Sequence, residues 1–241
     1  KHPLRALQQL AAYHRRQFQL PVIGITGING KTIIKEWLFQ LLSPDRRLIR
    51  SPRSYNSQLG VALSAWQLNE RHELAILEAG ISRMDEMAHL AKIIAPTIGV
   101  FTNIGTAHQE GFSSLEAKVR QKALLFEQAD TLVYCKDHEL IATVLQELYP
   151  AKQHYCWSAN DAGFVNILNI KSSPARTTIT VLFDDQRHQC SIPFTDEASI
   201  ENALHCWTVA SLLGFDLQKI GERMTQLEPI AMRLEVREGI N

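Results

Sequence analysis

The stretch Val22-Ile-Gly-Ile-Thr-Gly-Ile-Asn-Gly-Lys-Thr32 constrains this chain more than any other. An apolar run breaks into glycines, a lysine and a threonine, and a helical pattern resumes over residues 33–42. That order builds a phosphate cradle. Glycines let the backbone bring consecutive N–H groups to a polyphosphate, and the helix presents its positive end. The lysine supplies a mobile cation, and the threonine hydroxyl can bind Mg2+. We read Gly27, Asn29, Gly30, Lys31 and Thr32 as an ATP loop. The spacing departs from the commonest form, Gly-x-x-x-x-Gly-Lys-Ser/Thr, because Ile25 stands five residues before Gly30 and the glycines fall at Gly24 and Gly27. A strand–turn–helix corner whose glycines serve packing alone is the competing reading. A Gly-Lys-Thr that follows a β run and opens a helix favours the cradle.

The rest of the chain alternates short β runs with helical segments. Leu4, Leu7, Leu10, Ala11, His14 and Phe18 recur at helical spacing behind Pro3, which predicts a packing helix ending near Arg15 and Arg16. Residues 47–50, 73–78, 97–102 and 131–134 read as strands. Residues 60–68, 84–94, 114–128 and 137–148 read as helices, the last two capped by Ser114 and Asp137. Strand and helix in alternation, with short joins, imply an α/β fold: a mostly parallel sheet with helices on both faces. Ligands of such sheets sit beyond the carboxyl ends of the strands. The exits after Thr26, Arg50, Leu77 and Thr102 should therefore share one rim and gather Lys31, Asn56, Glu78 and His108. After Tyr155, β-branched and alternating runs joined by polar turns predict a small antiparallel sheet, and two helices over 199–213 and 217–227 follow.

At 241 residues the chain has room for one large or two small domains. Twenty-five basic residues balance 25 acidic ones, which gives no nucleic-acid stripe. The four cysteines lie far apart without a CxxC pair, as expected of a reduced cytoplasmic protein. No apolar run is long enough for a membrane span. The chain opens without a methionine, and we expect it to be a piece of something longer.

Three further residues carry chemistry. Glu78 closes an apolar strand, where a sheltered carboxylate needs a partner such as Mg2+ on a phosphate; an ordinary salt bridge is the plainer alternative. His108 follows a strand exit on the same rim and could bind a metal or orient a carboxylate substrate. Lys122, taken from pattern alone, reads as a solvated helix face.

Several of these runs together resemble the Mur ligases and their folylpolyglutamate synthase relatives. Gly27-Ile-Asn-Gly-Lys-Thr32 resembles that family's Gly-x-Asn-Gly-Lys-Thr/Ser loop, and Glu78-Ala-Gly80 its Mg2+ strand. Thr102-Asn-Ile-Gly-Thr-Ala-His-Gln-Glu110 followed by Ser114-Leu-Glu-Ala-Lys-Val-Arg-Gln-Lys122 is similar to the run that ends in the family's carbamylated lysine. The resemblance implies ATP and Mg2+ as cofactors. It implies Thr32, Glu78, His108 and a carbamylated Lys122 as metal ligands, and an adenine contact for Asn202 in Asn202-Ala-Leu204. It also implies a ribose and phosphate contact for Arg233 in Met232-Arg-Leu-Glu235. Lys31, His108 and Lys122 become the catalytic group. Carbamylation needs the neutral amine, which is only about 0.04 % of an unperturbed lysine at pH 7. A depression of about three units raises that to roughly a quarter, so Lys122 must be sheltered. Lys118 is the rival, in poorer register.

Asn56-Ser-Gln-Leu-Gly-Val61 is similar to the MurF branch, and Lys35-Glu36 leans the same way. That branch implies UDP-MurNAc-tripeptide and D-Ala-D-Ala as substrates, Asn56 as a substrate contact, and a role in peptidoglycan synthesis. The whole of residues 1–241 then resembles the family's central ATP-binding domain, without the amino-terminal domain for the UDP end or the carboxy-terminal ligase domain. Residues 51–56 also resemble MurF enzymes fused to an alanine racemase. Ile28 replaces a common Thr/Ser, and Lys122-Ala-Leu124 lacks the family's following carboxylate. Another amide ligase of the MurE or folylpolyglutamate synthase type, a nucleotide-controlled switch, or a small-molecule kinase are the alternatives. A GTPase-type switch would need an Asn-Lys-x-Asp base reader, and the chain has none.

Overall fold

Among the described residues, nine strands form one sheet in the computed structural model, which describes residues 2–105, 112 and 114–230. In chain order the elements are α1 (Pro3–Arg16), β1 (Val22–Thr26), α2 (Lys31–Leu42), β2 (Leu48–Arg50), α3 (Gln58–Trp66), β3 (Leu74–Glu78), α4 (Glu86–Ile94) and β4 (Ile98–Phe101). There follow α5 (Leu115–Ala123) with a 3-10 turn (Leu124–Phe126), β5 (Thr131–Cys135), α6 (Glu139–Leu148), β6 (Gln153–Ser158), β7 (Val165–Ser173), β8 (Arg176–Phe183), β9 (Gln186–Ile192), α7 (Glu197–Leu212) and α8 (Leu217–Met224). The strand order is β2-β3-β1-β4-β5-β6-β7-β8-β9. Pairing is parallel from β2 through β7 and antiparallel across β7, β8 and β9.

Period-two alternation sends each central strand into two cores. Val22, Ala75, Leu77, Phe101 and Leu132 face the layer of α1, α3, α4 and α6. Ile23, Ile25, Ile76, Val100 and Val133 face the layer of α2, α7 and α8. Every residue of β1, β3, β4 and β5 is buried, which is why these strands read as unbroken apolar runs. Each large side chain so buried contributes about 1.5–3 kcal/mol. The parallel strands also bring their carboxyl ends to one edge, and β1 lies between β3 and β4 at the centre of that edge.

Several sequence expectations are modified. The antiparallel hairpins exist, but β7 pairs with β6 (Trp157↔Val165), so they extend the main sheet as its edge. The strand β6 was not anticipated, since its polar first half is only partly covered and hides the apolar end. Asp137 does not cap α6, whose N-cap is His138. The Asp137 carboxylate accepts instead from Ser158 Oγ (2.5 Å) and the Ala159 N–H (2.8 Å), tying the exits of β5 and β6 together. In α1, Leu4 and Leu10 are exposed, and the buried face is Gln8, Ala11, Ala12 and Arg15. The Arg15 guanidinium donates to the carbonyls of Ile94 (3.1 Å), Ala95 (3.1 Å) and Phe18 (3.0 Å), satisfying the end of α4. No helix among the described residues is long and apolar enough to cross a membrane.

Candidate active site at the strand rim

The loop between β1 and α2 takes its shape from two glycines. Gly27 has φ +139°, and a Cβ there would overlap Thr102 Oγ1; Gly30 has φ +80°, and a Cβ would overlap Asn202 Oδ1. Only glycine satisfies both the positive φ and the close approach. The turn is then pinned by the β4 exit. The Ile28 N–H donates to Asn103 O (2.9 Å), the Asn29 N–H to Asn103 Oδ1 (3.1 Å), and Thr102 Oγ1 to Asn29 O (2.6 Å). The helix α2 starts at Lys31 with no side-chain cap and no acid of its own in the first turn, so its positive end faces the loop. Lys31 Nζ folds over the loop, donating to the carbonyls of Gly27 (3.2 Å) and Ile28 (2.8 Å).

Glu78 pairs in register with Ile25, which places its carboxylate beside the loop. It is fully buried and accepts from Thr32 Oγ1 at 3.0 Å. Behind it lies Lys35, also fully buried, with Nζ 3.8 Å from Glu78 Oε1 and 3.1 Å from Glu36 Oε1. Lys35 donates to the carbonyls of Ser51 (2.8 Å) and Arg53, and Arg50 Nε meets Glu36 Oε2 at 2.7 Å. Charges thus alternate from Arg50 inward to Glu78, and this offsets the desolvation of each. A hydroxyl and a carboxylate are hard oxygen donors of the kind Mg2+ takes.

A cleft of about 680 Å³ opens over the loop, lined among others by Gly27, Ile28, Lys31, Asn56, Lys118 and Lys122. Asn56 sits on the β2–α3 connection, where its carbonyl accepts from the Gly80 N–H (2.8 Å). Lys118 and Lys122, four apart on α5, share one face of that helix, which Ser114 caps by accepting from the Ala117 N–H (3.0 Å). Lys122 is only 3 % exposed. Burial, aided by the nearby ammoniums of Lys31 and Lys118, pushes its pKa down to about 7. That is the sheltered lysine the carbamylation argument requires. Lys118 is also buried and its pKa is lowered by that burial, though less strongly than that of Lys122, with its ammonium 5.7 Å from the Phe112 ring centroid. Asn202 lies on α7 against Gly30, while His108 and Arg233 lie outside the described residues.

So Gly27, Asn29, Gly30, Lys31, Thr32, Asn56, Glu78, Lys122 and Asn202 come from five separate segments to one rim. Sequence reasoning missed the supports. Thr102 and Asn103 brace the loop, Lys35 backs Glu78, and His205 stands three residues beyond Asn202 on the same helix face. Thr102, Asn103 and Lys35 fell inside quoted motifs without being given these roles, and the spacing of His205 from Asn202 was the other readable signal.

Fold, loop and rim define a phosphate-loop α/β domain. Residues 25–210 match the Mur ligase middle domain, and the chain belongs to the Mur ligase family. Within that family its likeness is to the MurF type. It is 27% identical over 238 residues to the UDP-N-acetylmuramoyl-tripeptide–D-alanyl-D-alanine ligase of Bacillus subtilis (strain 168), covering 97% of this chain and 50% of that protein. The ligase of the same name from Treponema pallidum (strain Nichols) is 36% identical over 126 residues, covering 52% of this chain and 28% of the relative. A crystal structure of MurF from Acinetobacter baumannii superposes with a TM-score of 0.89 at 27% identity, covering 98% of this chain and 52% of that one. The chain spans about half the length or less of the curated relatives it matches.

Proposed function

We propose that this chain is the nucleotide-binding middle domain of a longer ATP-dependent ligase that joins D-Ala-D-Ala to UDP-MurNAc-tripeptide in peptidoglycan precursor synthesis. The observation that carries the reading is that Lys31 and the buried Lys122 line one cleft over the loop, while Thr32 and Glu78 pair at the base of that loop. In this reading a peptide carboxylate oxygen attacks the γ-phosphorus of ATP, and the bond to the bridging oxygen breaks to release ADP. The amine of D-Ala-D-Ala then attacks the acyl carbon of the acyl phosphate, phosphate leaves with the bonding pair, and the amine loses its proton. Lys31 exchanges two loop carbonyls for the β- and γ-phosphate oxygens, and the loop amides hold the same charge. Asn202 meets the adenine, Arg233 the ribose and phosphates, and Asn56 the peptide substrate.

Thr32 and Glu78 would hold one Mg2+, and His108 with a carbamylated Lys122 a second, supplying positive charge where phosphate and carboxylate oxygens crowd. An amino-terminal domain for the UDP end and a carboxy-terminal domain that closes over ATP complete the enzyme. The domain alone binds nucleotide and ligates nothing.

Phosphate release by the full-length parent, measured with ATP and each candidate amine, tests the reading. Stimulation by D-Ala-D-Ala supports it, and stimulation by glutamate instead reassigns the chain to a folylpolyglutamate synthase type. Indifference to every amine replaces it with a nucleotide-controlled switch. Lys31→Ala abolishes the release. Lys122→Ala is severely impaired and regains activity with added short carboxylates; a failure of that rescue removes Lys122 from the site.

A further inference from the structure

His205 on α7 is fully buried and has no part in the roles assigned above. Trp157, near the end of β6, directs its indole N–H at His205 Nδ1 (3.4 Å). An indole nitrogen only donates, so Nδ1 accepts and the ring proton resides on Nε2. Nε2 then donates to the carbonyl of Thr102 (3.2 Å), with the Glu201 carboxylate 3.9 Å away. The Thr102 N–H donates to Thr26 O (2.9 Å), and the Thr26 hydroxyl donates to Ala79 O (3.1 Å). One belt of hydrogen bonds therefore crosses the exits of β6, β4, β1 and β3.

Thr102 is the middle link of that belt, and it is also where the belt meets the loop. Its hydroxyl holds Asn29 O, and the next residue, Asn103, receives both the Ile28 and Asn29 N–H groups. The turn of the loop rests on Thr102 and Asn103, and His205 fixes them from the far side. Asn202, three residues earlier on the same face of α7, presses on Gly30. A single helix face thus bears on both ends of the turn.

We propose that His205 is a positioning residue for the phosphate loop: by holding the Thr102 carbonyl it sets the geometry in which the loop amides receive a polyphosphate. This rests on the phosphate-loop reading given above. Amide donors stabilise an anion most when they are already aimed at it. A loop that spends part of its time in other shapes loses affinity by the fraction that stays competent.

The test is calorimetric titration of the 241-residue chain with ATP and with inorganic tripolyphosphate. His205→Phe keeps a ring and removes both nitrogens, and weakens both ligands about tenfold. His205→Gln retains an N–H donor near the Nε2 position and stays within about threefold. Thr102→Val keeps the side-chain shape and breaks the link to Asn29 from the other side, again at a cost of about tenfold. Urea midpoints on the same samples separate this from unfolding, since a merely structural role would make ligand affinity follow stability across the series. Unchanged tripolyphosphate affinity in a folded Phe or Val variant overturns the inference, and so do equal losses for Phe and Gln. If the unsubstituted 241-residue chain binds neither ATP nor tripolyphosphate, the phosphate-loop reading falls and this inference falls with it. An unsubstituted chain that binds, with variants that do not differ from it, sinks this inference alone.

Discussion

The stability of the domain should carry the signature of Lys122. Its folded-state pKa of about 7 lies well below its ordinary value of 10.5, because burial, and then the Lys31 and Lys118 charges, disfavour its ammonium. A lysine that binds its proton more weakly when folded makes the protein more stable as pH rises, since the unfolded chain holds more protons over that range. The window runs from about 7, below which both states are protonated and the penalty is constant, to about 10.5, above which both are neutral. Between about pH 7.5 and 9.5 the linkage amounts to about 2.5 kcal/mol, at ~1.36 kcal/mol per unit of pKa difference. Urea unfolding in CO2-free buffer, compared between the parent and Lys122→Met, measures it, because the other titrating groups cancel in the difference. Parallel curves, agreeing within about 0.5 kcal/mol over that range, would refute a sheltered lysine. Bicarbonate added near pH 8 should stabilise the parent and leave Lys122→Met unchanged, because only the neutral amine takes up CO2.

Glu78→Gln should remove the Mg2+ dependence of nucleotide affinity, read by titration with and without the metal. It should also destabilise the fold by about 1 kcal/mol, because Lys35 loses the longer of its two carboxylate contacts (3.8 Å) and keeps Glu36 at 3.1 Å, read by urea unfolding. Burial alone would raise the Glu201 pKa, but the hydrogen bond and charge of His138, with the His205 ring alongside, outweigh it and hold it at about 2, while His138 is raised by Glu201. The Glu201 contribution is present above its ordinary 4.5 and lost as pH falls toward 2; that of His138 is present below its ordinary 6.5 and lost as pH rises through its raised value. Glu201→Gln should therefore cost about 1 kcal/mol between pH 4.5 and 6.5 and less at higher pH, which a series of thermal melts would show.

The legible part of this protein was whatever local chemistry dictates. Gly27 and Gly30 had to be glycine because the turn needs positive φ, and the Lys31–Thr32 opening of α2 followed from the loop. The fully buried strands announced a parallel sheet with two covered faces, which already placed four strand exits on one rim. Family motifs then singled out Lys122, a residue that pattern alone assigns to solvent. What escaped was decided by distant partners. Asp137 gave up a capping role for Ser158 and Ala159, and α1 buried the expected Ala11 together with Ala12 and Arg15 while leaving Leu4 and Leu10 exposed.

Sequence by itself determined the phosphate loop, the alternation of strand and helix, and the identity of the groups that could meet an anion, because those depend on backbone sterics and side-chain chemistry within a few residues. Only the tertiary structure decided how they act together. Lys122 loses its ordinary basicity because α5 buries it near Lys31 and Lys118, and the loop holds its shape because β4 and α7, more than 70 residues away in the chain, supply its braces. Desolvation and bracing arise between segments far apart in sequence, and no local pattern encodes which of them will meet.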